Sequence, residues 1–182
     1  EYVIFLEKNR IWLARTKGVA VISAEDALSF GLSGPTLRGS GVDYDLRKYE
    51  PYSAYPKCEF SVPVGKNGDT YDRYWIRVQE LYESVKIIRQ ALDRIPPAGE
   101  WAVNDRRITP PPKDQVYTEM EALIQHFLIY SQGFNVPAGE SYVPVEGPRG
   151  EHGCYVVSDG TSRPWRVHMR SPGLMASQAL HK

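Results

Sequence analysis

The residues best suited to catalysis or metal binding are few and scattered along the chain. There are four histidines and two cysteines, Cys58 and Cys154, and among them His152 and Cys154 have the spacing closest to that of metal ligands. A closed site needs about four protein ligands, and no second pair accompanies these two. We therefore predict no metal site. Two cysteines cannot form a disulfide scaffold, so we expect reduced thiols in a cytosolic setting.

Two other polar groups have both a functional and a structural interpretation. His126 lies near carboxylates on a predicted helix, which suits either a proton relay or a hydrogen bond at a packing edge. On a predicted strand, Arg166, His168 and Arg170 alternate with apolar residues and therefore share one face. That face suits phosphate or an acidic partner, and it equally suits plain solvation.

The composition and the absence of signature motifs exclude several functional classes. The 182 residues carry 22 basic and 22 acidic side chains, and a neutral chain is a poor candidate for binding nucleic acid through bulk charge. No apolar run approaches the roughly 20 residues of a membrane span. Glycine-rich dinucleotide and nucleoside triphosphate motifs, and the G-x-S-x-G nucleophile motif, are also missing.

The apolar spacing predicts two long helices and a small sheet. Apolar residues recur every three or four positions from Asp69 to Ile95, and again from Lys113 to Gln132, which is the pattern of amphipathic helices. We expect the two helices to pack antiparallel. The residues expected to be buried in this contact are Val78, Leu81, Val85 and Ile88 against Leu123, Ile124 and Phe127. After Gly133 the period changes to two, which indicates three short strands. The predicted fold class is therefore α+β.

The remaining segments predict loops, short helices and chain ends that resemble cuts. Ser23 begins a capping pattern for a short helix, whereas 34–41 contains enough glycine to predict an irregular loop. Residues 59–64 alternate and predict a short edge strand. The first residues resemble the middle of a helix, so we expect a partial single domain with parts 1–68, 69–133 and 134–182.

Several stretches together resemble one protein family. They are Gly31–Lys48, Val62–Tyr74, Ile87–Leu92 and Val143–Glu151, with Val157–Gly160. In this order they are similar to the hydrogenase-like D subunit, or 49-kilodalton subunit, of respiratory complex I, the NADH–quinone oxidoreductase. The stretch 146–150, Glu-x-Pro-Arg-Gly, also resembles a motif of the large subunit of nickel–iron hydrogenases.

The resemblance implies a fold, partners and a function. It implies part of the hydrogenase large-subunit fold, with no redox cofactor on this chain. The small iron–sulfur subunit, which carries a cluster, and other peripheral-arm subunits would be the partners. The chain would help to form the cavity where electrons from NADH reach quinone. It would lie on the cytoplasmic face of the bacterial plasma membrane, or on the matrix side in mitochondria, with membrane contact only through the complex. A non-catalytic assembly subunit and a membrane-bound hydrogenase subunit remain alternatives.

The resemblance assigns no catalytic residue to this chain. The family's quinone ligands, a histidine and a tyrosine, fall in segments that precede this sequence, so the quinone-binding residues stay unknown. Arg38, Arg47, Glu146 and Arg149 in the matched loops are candidates for subunit contact or for positioning. For Arg38 two roles stay open: its guanidinium faces a partner carboxylate or an anionic cluster, or it holds its own loop together by hydrogen bonds.

Overall fold

A computed structural model describes residues 2–100 and 102–181. It contains helices and one three-stranded sheet, and the chain divides into two compact units. The first unit comprises the residues up to Ile95, Pro144–Gly153 and the segment from Met169; the second comprises Pro96–Val143 and Cys154–His168. The α+β class is confirmed, and the assignment of 1–182 to a single partial domain stays a prediction.

The helices of the first unit are mostly short, and most of them begin at a side-chain cap or at a proline. Ser23 accepts a hydrogen bond from the backbone N–H of Asp26, as its capping pattern predicts. The helices are α1 (Tyr2–Glu7), α2 (Arg10–Thr16), α3 (Ala24–Ser29), α4 (Pro35–Gly39), α5 (Leu46–Tyr49), α6 (Thr70–Arg94) and α9 (Pro172–Gln178). A small core of Ala27, Leu32 and Leu37 lies between α3 and α4.

Helix α6 is the longest element and is packed mainly along its first half. Asp69 caps its start by accepting from the N–H of Asp72, and the helix stops just before Pro96. Ile76 and Val78 are buried, and α6 contacts α4 and α2. The predicted helix and its bounds are therefore confirmed to within a residue at each end.

The predicted second long helix is interrupted. It forms α7 (Lys113–Thr118) and α8 (Met120–Ser131), because Glu119 between them has an extended backbone. The hydroxyl of Thr118 donates to the carbonyl of Asp114, and such local bonds compete with the helical ladder. The prediction of one continuous helix over 113–132 is therefore wrong at this point.

The predicted burial of the two apolar helix stripes is also wrong. Leu81, Val85 and Ile88 on α6 are exposed, as are the corresponding apolar residues of α8: Leu123, Ile124 and Phe127. A helical period shows that a helix has an apolar face, but it does not show which segment covers that face. Val78 alone of the α6 residues named for this packing is buried.

The predictions of a loop at 34–41 and of a strand at 59–64 are both wrong, because proline or side chains change how the backbone N–H groups of these segments are used. The glycine-rich 34–41 segment contains α4, which begins with Pro35 at a position that needs no N–H donor. Residues 59–64 form no strand: the N–H groups of Glu59 and Ser61 donate to side chains of α6 instead.

The sheet has the strand order β1-β2-β3 and is antiparallel, as predicted. Its strands are β1 (Gly139–Gly147), β2 (Gly150–Ser158) and β3 (Arg166–Arg170). β1 and β2 form a hairpin whose turn is Pro148-Arg149. Among the described residues, no helix has the length and apolar character to cross a membrane.

Candidate functional site

The guanidinium of Arg38 is the centre of a buried cluster of charges in the first unit. Arg38 is 1% exposed and lies on α4, whose backbone is fixed by Pro35 and by the loop around it. Its Nη1 atom lies 3.0 Å from a carboxylate oxygen of Glu146 and 3.6 Å from Asp45, and its Nη2 atom bonds Glu80. Nη1 also donates to the carbonyl oxygen of Tyr44 at 2.9 Å.

A second arginine, Arg47, neutralises Asp45. Asp45 caps α5, and Arg47 lies in the first turn of that helix. The Nε and Nη2 atoms of Arg47 donate to the two carboxylate oxygens of Asp45 at 2.9 and 2.6 Å. Burial alone would raise the pKa of Asp45, but the hydrogen bonds and charge of Arg47, with the charge of Arg38, hold it below its ordinary value.

Glu146 brings the β1–β2 hairpin to this cluster. Its carboxylate is 4% exposed and bonds Arg38, and its backbone N–H donates to the hydroxyl oxygen of Tyr52 at 3.0 Å. Burial raises the pKa of Glu146 above its ordinary value; Arg38 opposes that effect, and the negative charge of Asp45 adds to it.

A close backbone contact holds the hairpin turn against the loop before α4. Gly34 has φ +64°, and a Cβ atom at this position would lie 2.3 Å from the Cα of Gly150. The Ser33 hydroxyl accepts from the N–H of Glu151 at 3.0 Å. Only glycines permit this approach, so the loop and the hairpin are fixed together by both backbone and ion pairs.

A cleft of about 440 Å³ adjoins the cluster. Its lining combines the charged groups with apolar surface and a hydroxyl. The residues are Arg38, Arg47, Arg77, Glu80, Leu81, Ser84, Glu146, Gly147 and Pro148. The Nε atom of Arg38 is buried and has no hydrogen-bond partner within the described residues. The cluster therefore places charged side chains of both signs at the wall of a cleft.

The structure brings three of the four sequence candidates together. Arg38, Arg47 and Glu146 meet in the cluster, whereas Arg149 is exposed on the hairpin turn. Their assignment to a subunit interface stays a prediction, and the guanidinium of Arg38 is occupied by carboxylates of its own chain.

Sequence reasoning missed two members of the cluster, Asp45 and Glu80. For Asp45 a signal existed, because an aspartate two residues before an arginine at a helix start suits both a cap and an ion pair. The same Asp-x-Arg pairing recurs at Asp105 and Arg107. Nothing in the pattern of α6 distinguishes Glu80 from its exposed charged neighbours.

The histidine and cysteine candidates do not come together in a common site within the described residues. Among the described residues, no group of three or more His, Cys, Asp or Glu side chains is placed to hold a metal ion. The ring of His126 lies 4.7 Å from that of Tyr130, one turn along α8. The contact described for His126 is thus with an aromatic ring, and its role as a proton relay stays a prediction.

The comparisons with known proteins decide the family. The family model for the respiratory-chain NADH dehydrogenase 49 Kd subunit matches residues 1–182. The chain belongs to this family. It is 53% identical over 182 residues to a D subunit of the NADH-quinone oxidoreductase of Herpetosiphon aurantiacus, covering 99% of the chain and 43% of that relative.

Other relatives of the family show a similar degree of identity. The D subunit of the NADH-quinone oxidoreductase of Geotalea uraniireducens is 54% identical over 100% of the chain and 46% of its own length. The NADH-ubiquinone oxidoreductase 49 kDa subunit of Acanthamoeba castellanii is 53% identical over 97% of the chain and 44% of its length. The chain thus spans less than half the length of these family members.

Proposed function

We propose that this chain is part of the D subunit of a proton-pumping NADH–quinone oxidoreductase and acts in the transfer of electrons from NADH to quinone. The observation that carries the proposal is the match of the family over all 182 residues, with relatives of that name more than half identical. These names support the oxidoreductase interpretation over an assembly subunit or a hydrogenase subunit.

The finer proposal concerns the partner and the cavity. The chain helps to form the quinone-reduction cavity together with a small iron–sulfur subunit, which holds the cluster, and it binds no redox cofactor itself. It has part of a hydrogenase-like fold and lies on the cytoplasmic or matrix side of the membrane. Quinone is the substrate of the assembled complex.

The geometry around the hairpin turn supports a contact role for Arg149. Contacts from Gly34, Ser33 and Arg38 fix the residues on either side of the turn. The side chain of Arg149 in the turn is exposed. A guanidinium on a fixed backbone loses little freedom when it pairs with a carboxylate or another anion. Such a charge-assisted contact contributes about 1.5–3 kcal/mol.

The test is Arg149→Ala in the full-length subunit within the assembled enzyme. We expect the rate of quinone reduction driven by NADH to fall by about tenfold or more, because this factor corresponds to the free energy of one such contact. Transfer from NADH to an artificial acceptor should stay near normal, because that step lies upstream of quinone. Both activities are measured in the same membranes.

The matched control is Arg163→Ala, which removes another exposed arginine from a loop. It should leave both activities unchanged. Unchanged quinone reduction in the Arg149 variant, with complete assembly, contradicts the contact role. If both activities fall together with the amount of assembled complex, the assembly interpretation is favoured instead.

A further inference from the structure

The charges of the Arg38 cluster do not balance. Its three carboxylates belong to Asp45, Glu80 and Glu146, whose side chains are 0%, 15% and 4% exposed. Its two guanidinium groups are those of Arg38, 1% exposed, and Arg47, 14% exposed. A buried excess negative charge is costly, which favours uptake of a compensating positive charge.

The pairing within the cluster shows where that charge belongs. Arg47 binds Asp45 through two hydrogen bonds and acts on Glu80 and Glu146 only through its charge, so Arg38 is the arginine that bonds both glutamates directly. One guanidinium then faces two carboxylates from opposite elements, α6 and the β1–β2 hairpin. Two carboxylates around one guanidinium repel each other, and this repulsion favours a proton on one of them.

Apart from Arg38 and Arg47, both already counted, the groups that face Glu146 do not supply the missing charge. Arg77 lines the cleft, but it is exposed, its side chain donates to the carbonyl of Arg73, and no ion pair joins it to the cluster within the described residues. The nearby phenols of Tyr44 and Tyr52 are neutral, since burial raises the pKa of each.

We propose that Glu146, with Glu80 across the Arg38 guanidinium, forms a proton-binding site that exchanges its proton with solvent through the adjoining cleft. On release, the O–H bond of the Glu146 carboxyl group breaks, the carboxylate stays beside Arg38, and the proton passes to water. The cleft of about 440 Å³ contacts both carboxylates and opens to the surface. The direction of the Glu146 pKa, raised by burial, agrees with this geometry.

The proton also links two parts of the fold. Glu146 belongs to the hairpin and Glu80 to α6, and both reach α4 through the same arginine. When Glu146 is protonated, Arg38 is free to pair fully with Glu80. When it is ionised, Nη1 of Arg38 makes a charge-assisted bond to Glu146 while Nη2 bonds Glu80, so the strength of the hairpin contact depends on the proton.

The test is a pH titration of the full chain, labelled with carbon-13 at the glutamate side-chain carboxyls and followed by NMR. In the unmodified chain we expect one glutamate signal to titrate at a clearly higher pH than those of the exposed glutamates. Glu146→Gln should remove this signal. The control Glu59→Gln alters an exposed glutamate and should leave it in place.

Glu80→Gln separates a shared site from a structural role. Removing the charge of Glu80 leaves less negative charge around Arg38 and Glu146, so the signal that titrates at high pH should move toward the pH of the exposed glutamates. If it does not move, or if it persists in Glu146→Gln, the proposal is wrong. Simultaneous titration of all glutamates in the unmodified chain also overturns it. Should Glu146→Gln fail to fold, the Glu80→Gln shift decides alone.

Discussion

Arg38 contributes to the stability of the fold by neutralising the carboxylates around it. A buried ion cluster adds little net stability compared with apolar packing, but removing one member leaves the others buried and unpaired. We expect Arg38→Ala to lower the free energy of unfolding by about 3–5 kcal/mol for this reason. Urea denaturation of the chain measures the change.

The control for Arg38 is an arginine whose guanidinium bonds a carboxylate in an exposed place. Arg107 pairs with Asp105 on the surface, where solvent screens the charges. Arg107→Ala should leave the unfolding free energy nearly unchanged. Equal effects of the two substitutions would show that the buried cluster has no special role.

At this scale the sequence supplies candidates but not their partners. Arg38, Arg47 and Glu146 were recognisable from the matched loops, and each lies in the cluster. Glu80 was not, because it comes from a helix far along the chain, and only the tertiary packing of α6 on α4 brings it to Arg38. The choice between Arg38 as an external contact and Arg38 as an internal link likewise depends on burial, which its sequence does not show.

The tertiary contacts of helix α6 are unevenly distributed along its length. Ile76 is 2% exposed whereas Leu81 is 67% exposed, although both belong to apolar positions of the same helix. Ile76→Ala should therefore cost about 2–5 kcal/mol of unfolding free energy. Leu81→Ala should stay within about 0.5 kcal/mol. Thermal or urea unfolding of both variants checks this, and a large loss for Leu81 would indicate that it is buried.

The contact between the α4 loop and the hairpin depends on glycine at position 34. An alanine there meets both a left-handed backbone and the Cα of Gly150 at 2.3 Å, so Gly34→Ala should cost about 2–5 kcal/mol. Gly18 has nearly the same φ, +69°, but open space around it. Gly18→Ala should cost only about 1 kcal/mol. Equal unfolding free energies for the two variants would argue against the close contact.

Elements whose signals lie within a few neighbouring residues were predictable. Elements in which side chains compete with the regular backbone hydrogen bonds were not. The cap at Ser23 was predicted correctly because a cap is a contact within one turn of the helix. The break at Glu119 was missed, since the apolar period continues through it while the backbone does not. The pairing of 59–64 with side chains of α6, in place of a strand, needs the helix to be in position first.

At the scale of the whole molecule, apolar side chains are exposed on many elements. They include Phe5 and Ile11 on the N-terminal helices, Trp165 beside β3, and Met169 on β3. Exposed apolar patches of this kind mark surfaces that bind other protein segments. The sequence predicted their apolar character, but the period of a helix is the same whether its apolar face is covered or exposed.

Helix α6 allows a direct test of that surface behaviour. Val85, Ile88 and Leu92 lie on one stripe and are all exposed, so replacing all three with glutamine should change the unfolding free energy by less than about 1 kcal/mol. Self-association of the chain, measured by sedimentation velocity over a range of concentrations, should fall, since apolar surface drives it. The control replaces the exposed Arg89 and Asp93 with glutamine, which leaves the net charge unchanged and should leave association as it was. A large loss of stability in the triple variant, with no change in association, would show that these three residues pack within the chain.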